Sequence, residues 1–169
     1  MIIKHIYFPV INGPILNIGC GEDSIIEKQY NQFNLITNID NSKEKIKKSP
    51  YLAINMDATN LKYNNNTWES ITSFFSFGYF FHNIKKEKAI NEIYRVLRPG
   101  GKFYLWDMNI YNSNPYIQIK YNNIINLYMI KNVKDKQNLK YFKKVCKQAG
   151  FKIIKIKKYF SHFYLECEK

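Results

Sequence analysis

Between Gly13 and Ser24 the chain reads GPILNIGCGEDS, an apolar run from Ile15 to Ile18 that breaks at Gly19-Cys20-Gly21 and then enters a stretch of helical period. Two glycines let a backbone turn tightly and approach a ligand, and a helix that follows presents unpaired N–H groups. The next apolar run, Leu35 to Ile39, ends at Asp40, a carboxylate about 20 residues downstream that suits a ribose diol. A glycine pair in a ligand-free turn is the plain alternative. The order of elements that follows decides between them.

Strand-length apolar runs alternate with helical stretches, the pattern of an α/β domain with a parallel sheet. After the run at Ile15 to Ile18, Asp23 or Ser24 caps a helix to about Phe33, and Leu35 to Ile39 is a second strand. Asn41 and Ser42 cap a lysine-rich helix to Lys48; Ser49-Pro50 breaks it before a third strand, Leu52 to Met56. Trp68 to Phe75 is a fourth strand, followed by an aromatic segment from Phe77 to Phe81. Lys86 to Leu97 is an amphipathic helix stopped by Arg98-Pro99-Gly100-Gly101, and Lys102 to Trp106 is a fifth strand with Asp107 at its tip. Tyr116 to Ile130 fits either strand or helix. Leu139 to Ala149 is a helix closed by Gly150, and Phe151 to Lys157 with Phe160 to Glu168 form a final strand pair turning near Lys158.

A length of 169 residues fits one domain, 1–169, with a sizeable core. No run approaches the roughly 20 apolar residues that span a bilayer, and the first five residues are too charged for a signal peptide, so a cytoplasmic protein without membrane contact is expected. Cys20, Cys146 and Cys167 include no Cys-x-x-Cys pair, so reduced thiols and no metal site are expected. The net charge is +13. Only Arg95 and Arg98 are arginine, whereas base-edge readout favours arginine, so the charge is first read as a solvated lysine face. From Lys131 to Lys158 Asp135 is the only acid; this segment too is read first as a solvated helix face, with RNA or a phosphorylated substrate as the sharper, secondary reading.

Four landmarks, ILNIGCGEDS, LITNID, NMDAT and EIYRVLRPGGKFYLWD, together with the ending AGFKIIKIKKYFSHFYLECEK, give the chain a resemblance to the class I S-adenosylmethionine-dependent methyltransferases. The Arg-Val-Leu-Arg-Pro-Gly-Gly segment is the most specific of them. The resemblance implies a Rossmann-like, mostly parallel seven-stranded sheet with an antiparallel C-terminal strand and helices on both faces, and S-adenosylmethionine as cofactor. It implies that Gly19, Cys20 and Gly21 approach the methionine part, that Asp40 with neighbouring Asn41 holds the ribose, and that Asp57 and Ala58 meet the adenine. Phe74, Phe75 and Ser76 would pack beneath the adenine or flank the methyl group. His82 falls where small-molecule members carry a histidine, with a residue covering the sheet end as the other reading.

Three departures bear on function. Asn17 stands where the family places an acid that anchors the methionine amino group, and a neutral amide offers no charge pairing. Asp23 replaces the third glycine and reads as a helix cap, while Glu22 is a substitute acid. The chain also offers about 14 residues before the first strand where the family has lid helices, so an open site is expected, closed by a large substrate, a protein partner or a second copy. Methyl transfer to a small-molecule or peptide acceptor is the leading expectation. The alternatives are a non-catalytic methyltransferase-like subunit, an RNA methyltransferase and, with Ser24 in place of its third glycine, a nicotinamide-dependent oxidoreductase.

Overall fold

The computed structural model describes residues 2–3, 6–23, 25–31, 35–80, 82–111, 115–121, 124–130 and 135–169. In chain order the elements are β1 (Ile2–Ile3), β2 (Ile15–Ile18), α1 (Ile25–Tyr30), β3 (Ile36–Asp40), α2 (Lys43–Lys48), β4 (Ala53–Asn55) and β5 (Trp68–Phe74). A single 3-10 turn at Phe77–Tyr79 leads to α3 (Asn83–Val96), β6 (Leu97–Met108), β7 (Tyr116–Tyr121), β8 (Ile124–Met129), α4 (Leu139–Ala149), β9 (Lys152–Lys158) and β10 (His162–Glu168).

Seven strands hydrogen-bond in the order β4-β3-β2-β5-β6-β10-β9. The first five are mutually parallel, and β10 runs antiparallel to both β6 and β9. This is the Rossmann-like architecture that the resemblance implied. It brings the C-terminal ends of β2, β3, β5 and β6, with their following loops, to one end of the sheet.

One face of the sheet packs against α3 and α4 through Ile90, Ile93, Phe142 and Val145, meeting Leu16, Phe103 and Leu165. The other face gathers Ile15, Ile36, Phe74 and Trp106 against Ile25 and Ile26 of α1 and against Tyr7 and Phe8. The Trp106 indole donates to the carbonyl of Tyr7 at 2.7 Å, so the segment before β2 is fastened across this face. No helix lies between β4 and β5. The Arg95 guanidinium takes that role, donating to the carbonyls of Leu61 (3.0 Å) and Tyr63 (2.8 Å) while paired with Glu92.

Besides shifts of one to three residues at other element ends, such as α3 starting at Asn83 and not Lys86, three stretches differ from the sequence reading. Residues 98–101 do not end the chain's run as a separate turn but form the start of β6, where pairing to β5 jumps from Leu97 opposite Trp68 to Lys102 opposite Ser70. The extra residues are held by the chain end, with Gly100 N–H donating to the Lys169 carbonyl at 3.0 Å. The ambiguous stretch from Tyr116 is a hairpin, β7 with β8, and β1 joins it as a separate three-stranded sheet. α1 ends at Tyr30, with Asn31 in the left-handed region (φ 47°); Ser24, Phe33 and Phe81 lie outside the described residues.

A polar row crosses three strands. Thr72 donates to the Asn17 amide oxygen at 3.1 Å, the Asn17 amide donates to the Asn38 oxygen at 2.9 Å, and the Asn38 amide donates to Glu27 of α1. Thr72, Asn17, Asn38 and Glu27 are all buried, and the first three sit directly opposite one another in the β5-β2-β3 register. Asn17→Leu removes both central bonds and leaves two buried groups unpaired, each costing about 1 to 3 kcal/mol. The expected outcome is a loss of about 2 to 4 kcal/mol in urea unfolding, and a loss below about 1 kcal/mol contradicts a role for the row in holding register.

Candidate functional site

The loop after β2 is built by close approach. Gly19 (φ 70°) lies so near Ser76 that a Cβ there would overlap the serine side chain, and the Ser76 hydroxyl donates to the Ile18 carbonyl at 3.3 Å. Gly21 (φ 63°) is the opposite case, since a Cβ there meets no atom within 4 Å. The first glycine seats the loop on the β5 end, and the second leaves its outer surface open. Gly19 and Cys20 N–H groups donate to the Ile39 carbonyl at 2.8 and 3.2 Å, which ties the same loop to β3.

Asp40 ends β3 beside that loop. One of its carboxylate oxygens accepts from Gly21 N–H at 2.9 Å and the other from Ser42 N–H at 2.8 Å, and Ser42 in turn caps α2. An ionised carboxylate has about four acceptor sites, so each oxygen retains capacity for one hydroxyl. Asn41 is exposed beside it. At the end of β4, Asp57 is exposed and its carboxylate accepts from Thr59 N–H at 2.8 Å, while Ala58 is buried. Gly19, Cys20, Gly21, Asp40, Asn41, Asp57 and Ala58 thus fall along the C-terminal ends of three adjacent strands.

Asn17 is differently placed. Its amide faces inward and is committed at both ends to Asn38 and Thr72, one residue below the loop. An acid here would lie in one buried row with Glu27, whereas an amide both donates and accepts. Cys20 is buried, and its thiol is pushed up to about 12 by burial and then by the charges of Asp40 and Glu27, so it remains protonated.

After β5, Phe74 and Phe75 are buried with their rings 4.9 Å apart. Phe75 takes the left-handed region (φ 50°), which costs a non-glycine residue about 1 to 3 kcal/mol. It is held there by its N–H bond to the Trp106 carbonyl at 2.8 Å. The Tyr79 ring of the next turn takes the Lys45 ammonium of α2 at 4.3 Å from its centroid. His82 is exposed at the start of α3, with Nδ1 4.0 Å from the Asp135 carboxylate.

Asp107, read at the tip of the fifth strand, is the last residue but one of β6. It is fully buried and accepts from Phe77 N–H (2.9 Å), Met108 N–H (2.7 Å) and the Gln137 amide (2.9 Å). It therefore ties the turn after β5 to the segment before α4. The Lys86 ammonium is buried nearby, with no hydrogen-bond partner among the described residues. Neither Gln137 nor His162 of β10, which pairs with Met108 of β6, carried a sequence signal, because the contacts to Asp107 and Met108 that matter here span 30 or more positions.

Burial raises the Asp107 carboxyl to about 7, against the pull of its hydrogen bonds and of Lys86. Its stabilising contribution is therefore present at low pH and lost as pH rises toward 7. Burial lowers His162 from 6.5 to about 4, so its contribution is present at neutral pH and lost as pH falls toward 4. Between these limits the two slopes oppose, each amounting to about 1.4 kcal/mol per pH unit at most. Urea unfolding at several pH values from 4.5 to 6.5 is expected to show stability rising with pH in Asp107→Asn and falling with pH in His162→Gln. Parallel profiles in the two variants contradict the assignment.

A family model described as a methyltransferase domain matches residues 16–105, a little over half the chain. No curated protein matches it in sequence. Among solved structures, an S-adenosylmethionine-dependent methyltransferase from Mesorhizobium loti superposes with a TM-score of 0.69 at 10% identity, over 96% of this chain and 94% of that one. One from Methanosarcina mazei gives 0.70 at 14% identity, over 92% of each chain. A Haloferax volcanii methyltransferase solved in complex with the Trm112 activator gives 0.68 at 14% identity, over 95% of this chain and 83% of that one. Their identities are low and carry the fold, whereas the family match spans the glycine loop, the Asp40 carboxylate and the start of β6. The chain belongs to the class I S-adenosylmethionine-dependent methyltransferases.

Proposed function

We propose that this chain binds S-adenosylmethionine across the ends of β2, β3 and β4 and transfers its methyl group to an acceptor entering from the open side. The observation that carries this is the placement of the Asp40 carboxylate, bonded to Gly21 N–H and Ser42 N–H, beside a loop whose second glycine faces open space. That arrangement fits the cofactor: the ribose diol takes the remaining acceptor capacity of Asp40, and Gly19, Cys20 and Gly21 lie along the methionine part. Asn41 flanks the ribose and Asp57 with Ala58 meets the adenine. Phe74 and Phe75 close the site from the β5 side, and Asn17 supports the loop from below without touching the ligand.

The bound cofactor supplies a methyl group already activated on a sulfonium, so positioning is the protein's main task. The strained Phe75 and the Ser76 contact fix the loop that flanks the transfer, and His82, oriented toward Asp135, is placed to accept a proton from an acceptor that carries one. A small-molecule or peptide acceptor suits this plan. Asn41 and Asp57 are exposed, which favours an acceptor or protein partner that completes the site on binding. For a partner the supporting observation is an apolar sheet edge, with Leu52 92% and Ile54 44% exposed. A cavity of about 560 Å³ lies beside it, toward the strands' N-terminal ends and away from the loop.

Calorimetry tests the reading. S-adenosylmethionine and S-adenosylhomocysteine are expected to bind and NAD is not. Asp40→Ala is expected to weaken S-adenosylhomocysteine by about 1 to 3 kcal/mol, the loss for charge-assisted hydrogen bonds, with unfolding measured in parallel. Unaltered affinity in that variant removes the site assignment.

A further inference from the structure

β9 is the outermost strand of the seven-stranded sheet, and its four lysines, Lys152, Lys155, Lys157 and Lys158, are all exposed. Lysines on an edge strand ordinarily block pairing with other chains. Three observations here exceed that need. First, no carboxylate among the described residues forms an ion pair with any of these lysines, although Lys48, Arg95, Arg98 and Lys102 are all paired. Second, Lys155 and Lys157 converge on one ring, lying 4.5 and 5.3 Å from the centroid of Tyr7. Third, the strand leads into an aromatic tip, with Phe160 83% and Tyr159 37% exposed.

The tip has a defined position. Asn109, directly after β6, donates through its side chain to the carbonyls of Tyr159 (3.2 Å) and Phe160 (3.1 Å), and its N–H donates to Ser161 at 2.8 Å. The row of cations therefore ends at the same end of the sheet as the glycine loop. Lys152, Lys155 and Lys157 lie opposite Glu168, Glu166 and Tyr164 and so share one face of the strand, while Lys158, opposite Phe163, lies on the other face beside the tip. Lys155 also donates to the Tyr7 hydroxyl at 2.6 Å, but none of the four is in an ion pair among the described residues. Such a row of cations matches a phosphate backbone, and an exposed ring at its end matches an unstacked base.

We propose that β9 and its aromatic tip form a binding surface for single-stranded RNA, contacted through phosphates along the strand and through base stacking at Phe160. That this surface ends at the same end of the sheet as the proposed transfer site rests on the reading given above; the binding surface does not, and the RNA need not be the methyl acceptor. Both arginines of the chain are occupied, Arg95 with Glu92 and Arg98 with Glu69, so the surface reads backbone and stacking, not base edges.

Fluorescence anisotropy with a labelled oligouridine of about 12 nucleotides, at two salt concentrations, tests this. Replacing Lys152, Lys155, Lys157 and Lys158 together by Gln is expected to weaken binding about tenfold or more and to flatten the log–log salt slope by about 3. A control with the same charge change on exposed Lys47, Lys62, Lys85 and Lys88 is expected to stay within about twofold. Phe160→Ala is expected to weaken the oligouridine about fivefold with the salt slope unchanged. Equal losses in the two lysine sets, or competition by polyglutamate as strong per charge as by RNA, overturn the proposal, as does absence of binding by the unaltered protein. S-adenosylhomocysteine calorimetry on the same proteins keeps the readings apart, because lost RNA binding with retained cofactor affinity is a failure of this surface alone.

Discussion

The site depends on the register of three parallel strands, and that register is held by amides and a hydroxyl in the middle of the sheet. Thr72, Asn17 and Asn38 face one another across β5, β2 and β3, and Glu27 continues the row into α1. Backbone ladders tolerate a slip, but buried polar side chains do not, since each displaced donor or acceptor is stranded away from water. With the row in register, Gly19 sits against Ser76, Gly21 against Asp40, and Phe75 below the Trp106 carbonyl. The departure at Asn17 is thus a trade between a charged anchor for ligand and a neutral bridge between strands.

A second buried network does the equivalent at the neighbouring strand end. Asp107 gathers the turn after β5, the residue after itself and Gln137 before α4. A carboxylate with three donors and a buried ammonium nearby is costly to form and rigid once formed. It couples the turn after β5 to the segment before α4. Around these two polar networks the surface is left open, and the edge strands differ in character: β4 is apolar and short, β9 is long and cationic.

Much of this was legible in the residues. The alternation of apolar runs and helical stretches, the glycine pair, Asp40, the Ser42 helix cap and the Gly150 helix stop all act over short separations, and each stands in the structure where its sequence neighbours require. The hairpin of β7 and β8 was ambiguous because a run mixing Tyr, Ile and Asn fits either period until a partner strand is present. The start of β6 misled for a related reason: Pro99 and two glycines mark a helix end, but whether the chain then turns or extends depends on Glu69, Ser70 and Lys169 waiting beside it.

By itself the sequence determined the element order from β2 to β6 and from α4 to β10, the sign of the surface charge and the residues able to approach a nucleotide, since propensity, capping and backbone permissiveness are local properties. Only the tertiary structure decided that Asn17 points into the sheet, that Asp107 is a buried hub, that His82 is exposed and that the β9 lysines run to the same end of the sheet as the glycine loop. Those outcomes depend on contacts between residues 20 to 150 positions apart, which exist only once strands are paired and water is excluded from between them.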